Sequence, residues 1–263
     1  MTEELGIALA QINPTVGDIS GNLDIIRSAR KSVDGTSDIV VTGELAVSGY
    51  PPEDLVLKPA FLEMIETEVN KLALETNDGG PALLIGAPWR ENGELFNAAL
   101  LLADGAVVTK RYKHVLPTYG VFDEDRVFSR GPIPGPIAFK GVRLGVMICE
   151  DMWEQDVAEG LQESGAEILI VINGSPYEID KPDQRMNFAV GRVSETGLPL
   201  AYVNLVGGQD ELVFDGCSFI LNRKHALKAQ AKAWEPQLVL SKWALKAEGW
   251  TCNEGTLEIN THD

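Results

Sequence analysis

Positive charge is scarce in this chain. Its 263 residues carry 22 Lys and Arg against 39 Asp and Glu, a formal net charge of −17. A duplex-binding surface must neutralise phosphates with clustered cations, and every basic run here is short and interleaved with acids, so no nucleic-acid partner is expected. Long hydrophobic runs are missing too. A membrane-spanning helix needs about 18 or more consecutive apolar residues, whereas the longest apolar stretches, such as Ile168 to Ile172, are strand-sized. The opening MTEELGIALAQINPTVGDIS lacks the basic start, apolar stretch and small-residue cleavage site of a secretion signal. Cysteine is sparse: Cys149, Cys217 and Cys252 are too far apart for a disulfide framework and show no Cys-x-x-Cys metal spacing. These absences point to a cytoplasmic protein with no membrane partner. Histidine is scarce, with only His114, His225 and His262, two of them in the tail, which makes a Cys-His arrangement a weak reading. Neither Gly-x-x-x-x-Gly-Lys-Ser/Thr nor Gly-x-Gly-x-x-Gly occurs, so no cofactor is expected in this chain.

What is present is an alternation of apolar runs and helical periodicity between residues 1 and 222. Leu5 to Ile12 reads as a strand, Ile25, Ile26, Ala29 and Val33 as a helix face, and Asp38 to Val41 as strand again. Phe61, Ile65, Val69 and Leu72 mark a second helix, ended by Asn77-Asp78-Gly79-Gly80. Ala82 to Ala87 and Asn97 to Leu102 follow, then Asp104-Gly105 and Ala106 to Val108. An Asp-Gly pair between apolar runs signals a hairpin, so these last two strands are expected to be antiparallel and the sheet mixed. The rhythm continues with strands at Arg143 to Cys149, Glu167 to Ile172, Leu200 to Val206 and Ser218 to Leu221, and helices at Asp156 to Ser164 and Pro182 to Thr196. The pattern is an α/β domain with helices covering sheet faces.

Composition shifts near Leu221. Residues 223–263 hold six basic side chains against five acidic ones, unlike the acidic body before them. This tail reads as a last strand around Leu238 to Trp243, then a polar C-terminal arm or linker from Asn253 to Asp263.

Four segments carry more reactive groups at strand ends than packing needs: Gly43-Glu44-Leu45, Tyr112-Lys113-His114, VMICEDMW from Val146 to Trp153, and NGSPY from Asn173 to Tyr177. Groups at strand ends of an α/β sheet converge on one rim. Cys149 ends an apolar run and precedes Glu150-Asp151, at a strand-to-turn corner. Most free cysteines are inert small hydrophobes, and no histidine offers an obvious base for this one. Glu44 leaves an apolar strand at a loop. A desolvated carboxylate there would take a proton from a thiol and give it to a leaving amine; the commoner role is a solvated strand-end acid. Lys113 is either a surface cation or a fixed charge that stabilises a thiolate and a developing oxyanion. Glu, Lys and Cys together would form an acyl-transfer set needing neither metal nor histidine, with the sulfur held as a reactive anion.

The order Glu44, Lys113, Cys149 resembles the Glu-Lys-Cys triad of the nitrilase (carbon–nitrogen hydrolase) superfamily. SGYPPEDL (Ser48 to Leu55), LPTYGVFDEDRVF (Leu116 to Phe128), ICEDMW (Ile148 to Trp153), NGSPYE (Asn173 to Glu178) and YVNLVGGQDELVFDGCSF (Tyr202 to Phe219) are similar, in order and spacing, to the glutaminase domain of bacterial glutamine-dependent NAD synthetases. The resemblance implies a four-layer-forming α-β-β-α sandwich with mixed sheets, and a homo-oligomer built through its helices. It implies that Cys149 attacks the carboxamide of glutamine, that Glu44 is general base and acid, and that Lys113 stabilises the oxyanion. Glu124 looks like the further acid that orients the lysine, while Tyr119, Phe122, Ser175 and Lys181 fall where the family lines its glutamine pocket.

Two departures stand out. Gly43 occupies the position before the triad acid where the family commonly has proline, which is expected to loosen the backbone. The ATP-dependent synthetase domain that would use ATP and Mg with deamido-NAD is also absent from the sequence. The expectation is a glutaminase domain over 1–222, a last strand and arm over 223–263, and a possible synthetase partner. A stand-alone amidase acting on another small amide, or an idle regulatory module, fits the same residues.

Overall fold

The computed structural model describes residues 3–120 and 122–256. Strands β1 (Glu4–Gln11), β2 (Ile39–Thr42), β3 (Ala82–Glu91), β4 (Glu94–Ala103) and β5 (Ala106–Tyr112) open the chain, with helices α1 (Ile19–Ser32) and α2 (Pro59–Glu75) between them. Strands β6 (Ile137–Phe139), β7 (Val142–Ile148), β8 (Ile168–Asn173) and β9 (Leu200–Asn204) follow, with α3 (Gln155–Glu163) and α4 (Lys181–Thr196) as crossovers. Then come β10 (Val206–Gln209), β11 (Leu212–Asp215), β12 (Phe219–Leu221), β13 (Leu227–Gln230), β14 (Gln237–Lys246) and β15 (Gly249–Gly255).

These strands make a seven-stranded sheet in the order β15-β14-β1-β2-β3-β4-β5, a six-stranded sheet in the order β13-β12-β9-β8-β7-β6, and a separate β10-β11 ribbon. Both large sheets are mixed. β1, β2 and β3 are mutually parallel, while β4, β5 and β14 run antiparallel to their neighbours. The Asp104-Gly105 turn joins β4 to β5 as expected, with both residues at positive φ (51° and 80°). A second such turn, Asn92-Gly93 at φ 53° and 86°, joins β3 to β4 and went unread in the sequence.

Because side chains alternate across a strand, each sheet feeds two cores. Ala8, Ala10 and Val40 turn outward to Leu23 and Ile26 of α1 and Ile65, Val69 and Leu72 of α2. Leu5, Ile7, Leu9, Ile39 and Val41 turn inward to Val146, Ile148, Ile170 and Ile172 of the other sheet. On the far side, Met147, Leu169 and Tyr202 pack on Val157 and Leu161 of α3 and Ala189 and Val193 of α4. Three apolar layers between four structural layers make the α-β-β-α sandwich. In α1 the inward residue is Ile26, and Ile25 is exposed. Among the described residues no helix is long and apolar enough to cross a membrane.

The expected boundary at residue 222 has no counterpart in the sheets. β13 pairs with β12, β14 pairs along all eight residues of β1, and β15 completes the edge. Val239, Trp243, Trp250 and Cys252 belong to the core between the sheets. The tail looked polar because its outward positions carry Lys242 and Glu254, which face each other across β14 and β15. Residues 257–263 of the expected arm, His262 included, lie outside the described residues.

Candidate active site

The C-terminal ends of β2, β5, β7 and β8 open on one rim. Glu44 follows β2, Lys113 follows β5, Cys149 follows β7, and Gly174-Ser175 follow β8. Gly43 does not loosen this corner. A Cβ there would stand 2.7 Å from the carbonyl oxygen of Asn173 and 2.5 Å from Leu205, so the two sheets approach too closely for any side chain. Gly86 on β3 meets the same corner, its Cβ position lying 2.5 Å from the Gly43 oxygen. Glu44 is thereby wedged between sheets and fully buried.

Lys113 is fully buried as well, and its Nζ donates to Glu44 Oε1 at 2.7 Å and to Glu124 Oε1 at 2.8 Å. Glu44 Oε2 accepts the Gly174 N–H at 2.9 Å, and Asn97 Nδ2 donates to Glu44 Oε1 at 2.8 Å. The Tyr50 hydroxyl donates to Glu124 Oε1 at 3.1 Å. Burial alone would drive Lys113 toward its neutral form, but Glu124 and Glu44 outweigh it and hold the ammonium charged. An ammonium has three donors, so one remains beyond the two carboxylates. Burial pushes the Glu124 carboxyl up to about 7, against the pull of Lys113.

Cys149 begins the 3-10 turn Cys149–Met152, with φ 48°. Leu45, next to Glu44, has the same φ. Left-handed backbone is uncommon away from glycine and costs of order 1–3 kcal/mol, so both sharp corners are held by their surroundings. At Cys149 the holder is Asp151. Its Oδ1 accepts the N–H groups of His114 and Val115 at 2.9 and 2.8 Å, and its Oδ2 accepts the Ile148 N–H at 3.0 Å. This one buried carboxylate, pushed up to about 6 by burial, ties the segment after Lys113 to the segment of Cys149.

The thiol differs from expectation. Burial and then the charge of Glu44 push Cys149 well above its ordinary range, with Lys113 only partly opposing them. These influences favour the thiol over the anion expected from the sequence, so attack calls for a proton acceptor beside the sulfur. Glu44 is the nearby carboxylate with the strongest effect on it.

The four expected pocket residues surround this centre unevenly. Tyr119 and Phe122 meet edge to face at 5.7 Å, and the Tyr119 hydroxyl donates to Glu150 Oε1 at 2.7 Å, beside Cys149. Phe122 also lines a small cavity with Leu45, Tyr50 and Glu124. Ser175 is buried, and its hydroxyl accepts from Arg185 Nε at 3.1 Å. Lys181 opens α4 and its Nζ sits 4.5 Å above the Trp153 ring, four residues past Cys149. Three groups that the sequence reading passed over support the set. Arg185 pairs with buried Asp215 at 2.6 Å and also donates to the Ser175 and Pro176 carbonyls, fixing the loop over Glu44. Asp151 and Asn97 are the others. A polar residue inside the apolar run Leu95 to Leu102, as Asn97 is, was the available signal.

Comparison with known proteins follows the same lines. A family model described as Carbon-nitrogen hydrolase matches residues 6–247, well past residue 222. A glutamine-dependent NAD(+) synthetase of Rhodobacter capsulatus is 45% identical over 240 residues, covering 91% of this chain and 43% of that protein. One from Aquifex aeolicus is 40% identical over 236 residues, covering 89% of this chain and 41% of that protein. The chain thus spans less than half the length of these relatives. The solved glutamine-dependent NAD+ synthetase of Acinetobacter baumannii superposes with a TM-score of 0.88 at 33% identity, covering 97% of this chain and 49% of that one. An amidase from Nesterenkonia sp. shares the fold, with a TM-score of 0.79 at 23% identity over 97% of this chain and 93% of that one. With the family model matched over nearly its whole length and the two sheets stacked as in these relatives, the chain belongs to the carbon–nitrogen hydrolase family of enzymes.

Proposed function

We propose that this chain hydrolyses the side-chain amide of glutamine through a thioester on Cys149, as the ammonia-supplying part of glutamine-dependent NAD biosynthesis. The observation that carries the reading is Lys113, fully buried yet ion-paired at once to Glu44 and Glu124. A desolvated cation between two carboxylates is costly to bury unless its charge is used. The glutamine-dependent relatives named above support glutamine as the substrate.

In this reading the Cys149 thiol gives its proton to Glu44 as sulfur bonds to the carboxamide carbon. The carbonyl electrons move onto oxygen, where the remaining N–H of Lys113 stabilises them. Collapse breaks the C–N bond, and the proton on Glu44 goes to the leaving nitrogen, releasing ammonia. Water then attacks the thioester while Glu44 takes its proton, the C–S bond breaks, and the proton returns to sulfur as glutamate leaves. Glu124 holds Lys113 in place. Tyr119, Phe122, Ser175 and Lys181 line the glutamine pocket, with Lys181 as the cation for the substrate carboxylate. ATP, Mg and deamido-NAD belong, in this reading, to a synthetase partner, and the chain works as a homo-oligomer.

The test is ammonia release by the purified chain from glutamine, asparagine and short aliphatic amides, beside Cys149→Ala. Glutamine-selective release that Cys149→Ala abolishes is expected. Turnover of the aliphatic amides with glutamine inert would replace the reading with a stand-alone amidase.

A further inference from the structure

Asn97 is the side chain between the two buried carboxylates. It lies on β4 opposite Pro88 of β3, which has no N–H to offer it. Its backbone oxygen instead accepts the Lys113 N–H at 2.8 Å, extending the β4–β5 ladder, so Asn97 and Lys113 are cross-strand partners on one face. Its Nδ2 donates to Glu44 Oε1 at 2.8 Å and reaches Glu124 Oε2 at 3.5 Å. The amide orientation follows from Glu44, whose oxygens accept from Lys113 and from the Gly174 N–H, so that a swapped amide would set oxygen against oxygen. The Oδ1 atom is buried with no protein donor. The amide is therefore not placed for its own hydrogen-bond balance, since half of it goes unpaired at a cost.

Glu44 is faced by Lys113 from the end of β5, Glu124 from the 3-10 turn Glu124–Arg126, the Gly174 N–H from the end of β8, and Cys149 from the end of β7, with the Tyr50 hydroxyl on Glu124 behind. Lys113 supplies one positive charge for two carboxylates. Asn97 is a second donor that adds no charge, and it lies closer to Glu44 than to Glu124. We infer that Asn97 is a positioning residue for the reaction proposed above, a neutral donor that fixes the Glu44 carboxylate beside Cys149 while Glu124 shares the lysine. Aspartate could not do this, since it would add a third carboxylate. Serine is too short, and leucine fills the volume without the donor.

The inference rests on the glutaminase reading for its substrate but not for its test. The rate of Cys149 alkylation by iodoacetamide, measured against pH, reports the proton acceptor with no glutamine present. A donor to a carboxylate favours its charged form, so removing it raises the pH at which that carboxylate loses its proton. In Asn97→Leu the acidic limb of the alkylation profile is expected to move up by about one pH unit, with the rate on that limb down about tenfold and the plateau above it little changed. Asn97→Ala carries the same expectation should Asn97→Leu not fold. Glutamine hydrolysis by each variant should lose kcat with KM little changed. A variant that folds and alkylates with its acidic limb unmoved overturns the assignment, whatever its melting temperature. If the wild type leaves glutamine intact while the alkylation limb still shifts in the variants, the glutaminase reading fails and the role of Asn97 stands.

Discussion

Lys113 Nζ and Glu44 Oε1 lie 2.7 Å apart with neither side chain exposed to solvent, and Glu124 completes a buried cluster of one cation and two carboxylates. Removing one partner from such a cluster leaves uncompensated charge in a low-dielectric site. Lys113→Met is expected to destabilise the chain by about 3–5 kcal/mol near pH 8. The loss should shrink toward pH 5, where the stranded carboxylates can protonate. Urea unfolding at the two pH values checks it, and equal losses at both would contradict the cluster's charge assignment.

Glu124 gives a pH dependence of its own. Its carboxyl is raised from an ordinary value of 4.5 to about 7 by burial, so the folded state holds its proton more tightly than the unfolded state does. The stability this contributes is fully present below 4.5 and is lost as pH rises through 7. Asp151, raised from 3.8 to about 6, adds a loss of the same sign at lower pH. Melting curves from pH 4.5 to 7.5 should therefore fall for the wild type and fall less steeply for Glu124→Gln. A variant as steep as the wild type would show that Glu124 does not titrate there.

Much of this arrangement was legible beforehand. Glu44, Lys113 and Cys149 each follow a run whose apolar residues have to be buried strands, and strand ends of an α/β sheet share a rim. The Asp104-Gly105 turn fixed a pairing direction through the φ values it demands. What stayed hidden depends on contacts between distant segments. The sequence around Gly43 says nothing of the Asn173 carbonyl 2.7 Å from its missing Cβ. Nor does it say that burial and Glu44 would keep Cys149 protonated. Trp243 was legible as part of a last strand, whereas the polar outward face of β14 and β15 hid Trp250 as its core companion.

Those tryptophans make the third prediction. Trp243 and Trp250 are almost wholly buried between the sheets. Trp243→Ala is expected to cost about 3–5 kcal/mol, and deletion of residues 237–256 to prevent folding, since β1 would lose its antiparallel neighbour. Circular dichroism and denaturant titration check both. A deletion variant that melts cooperatively would show that these strands are dispensable to the fold.

Cys149→Ala, by contrast, removes a single buried sulfur and should cost only about 1 kcal/mol. Near-wild-type melting with activity abolished separates chemistry from folding at that position. A collapse of stability would mean that the thiol, and not Asp151, holds the corner.

The most direct test of the account is intact-protein mass spectrometry after acid quench of the chain turning over glutamine, followed by peptide mapping. The account predicts one γ-glutamyl group per chain on the peptide carrying Cys149, missing from Cys149→Ala and formed far more slowly in Glu44→Gln, by about 10²–10⁴-fold. Ammonia release with no acyl group on Cys149, or an adduct formed as fast without the Glu44 carboxylate, would contradict it.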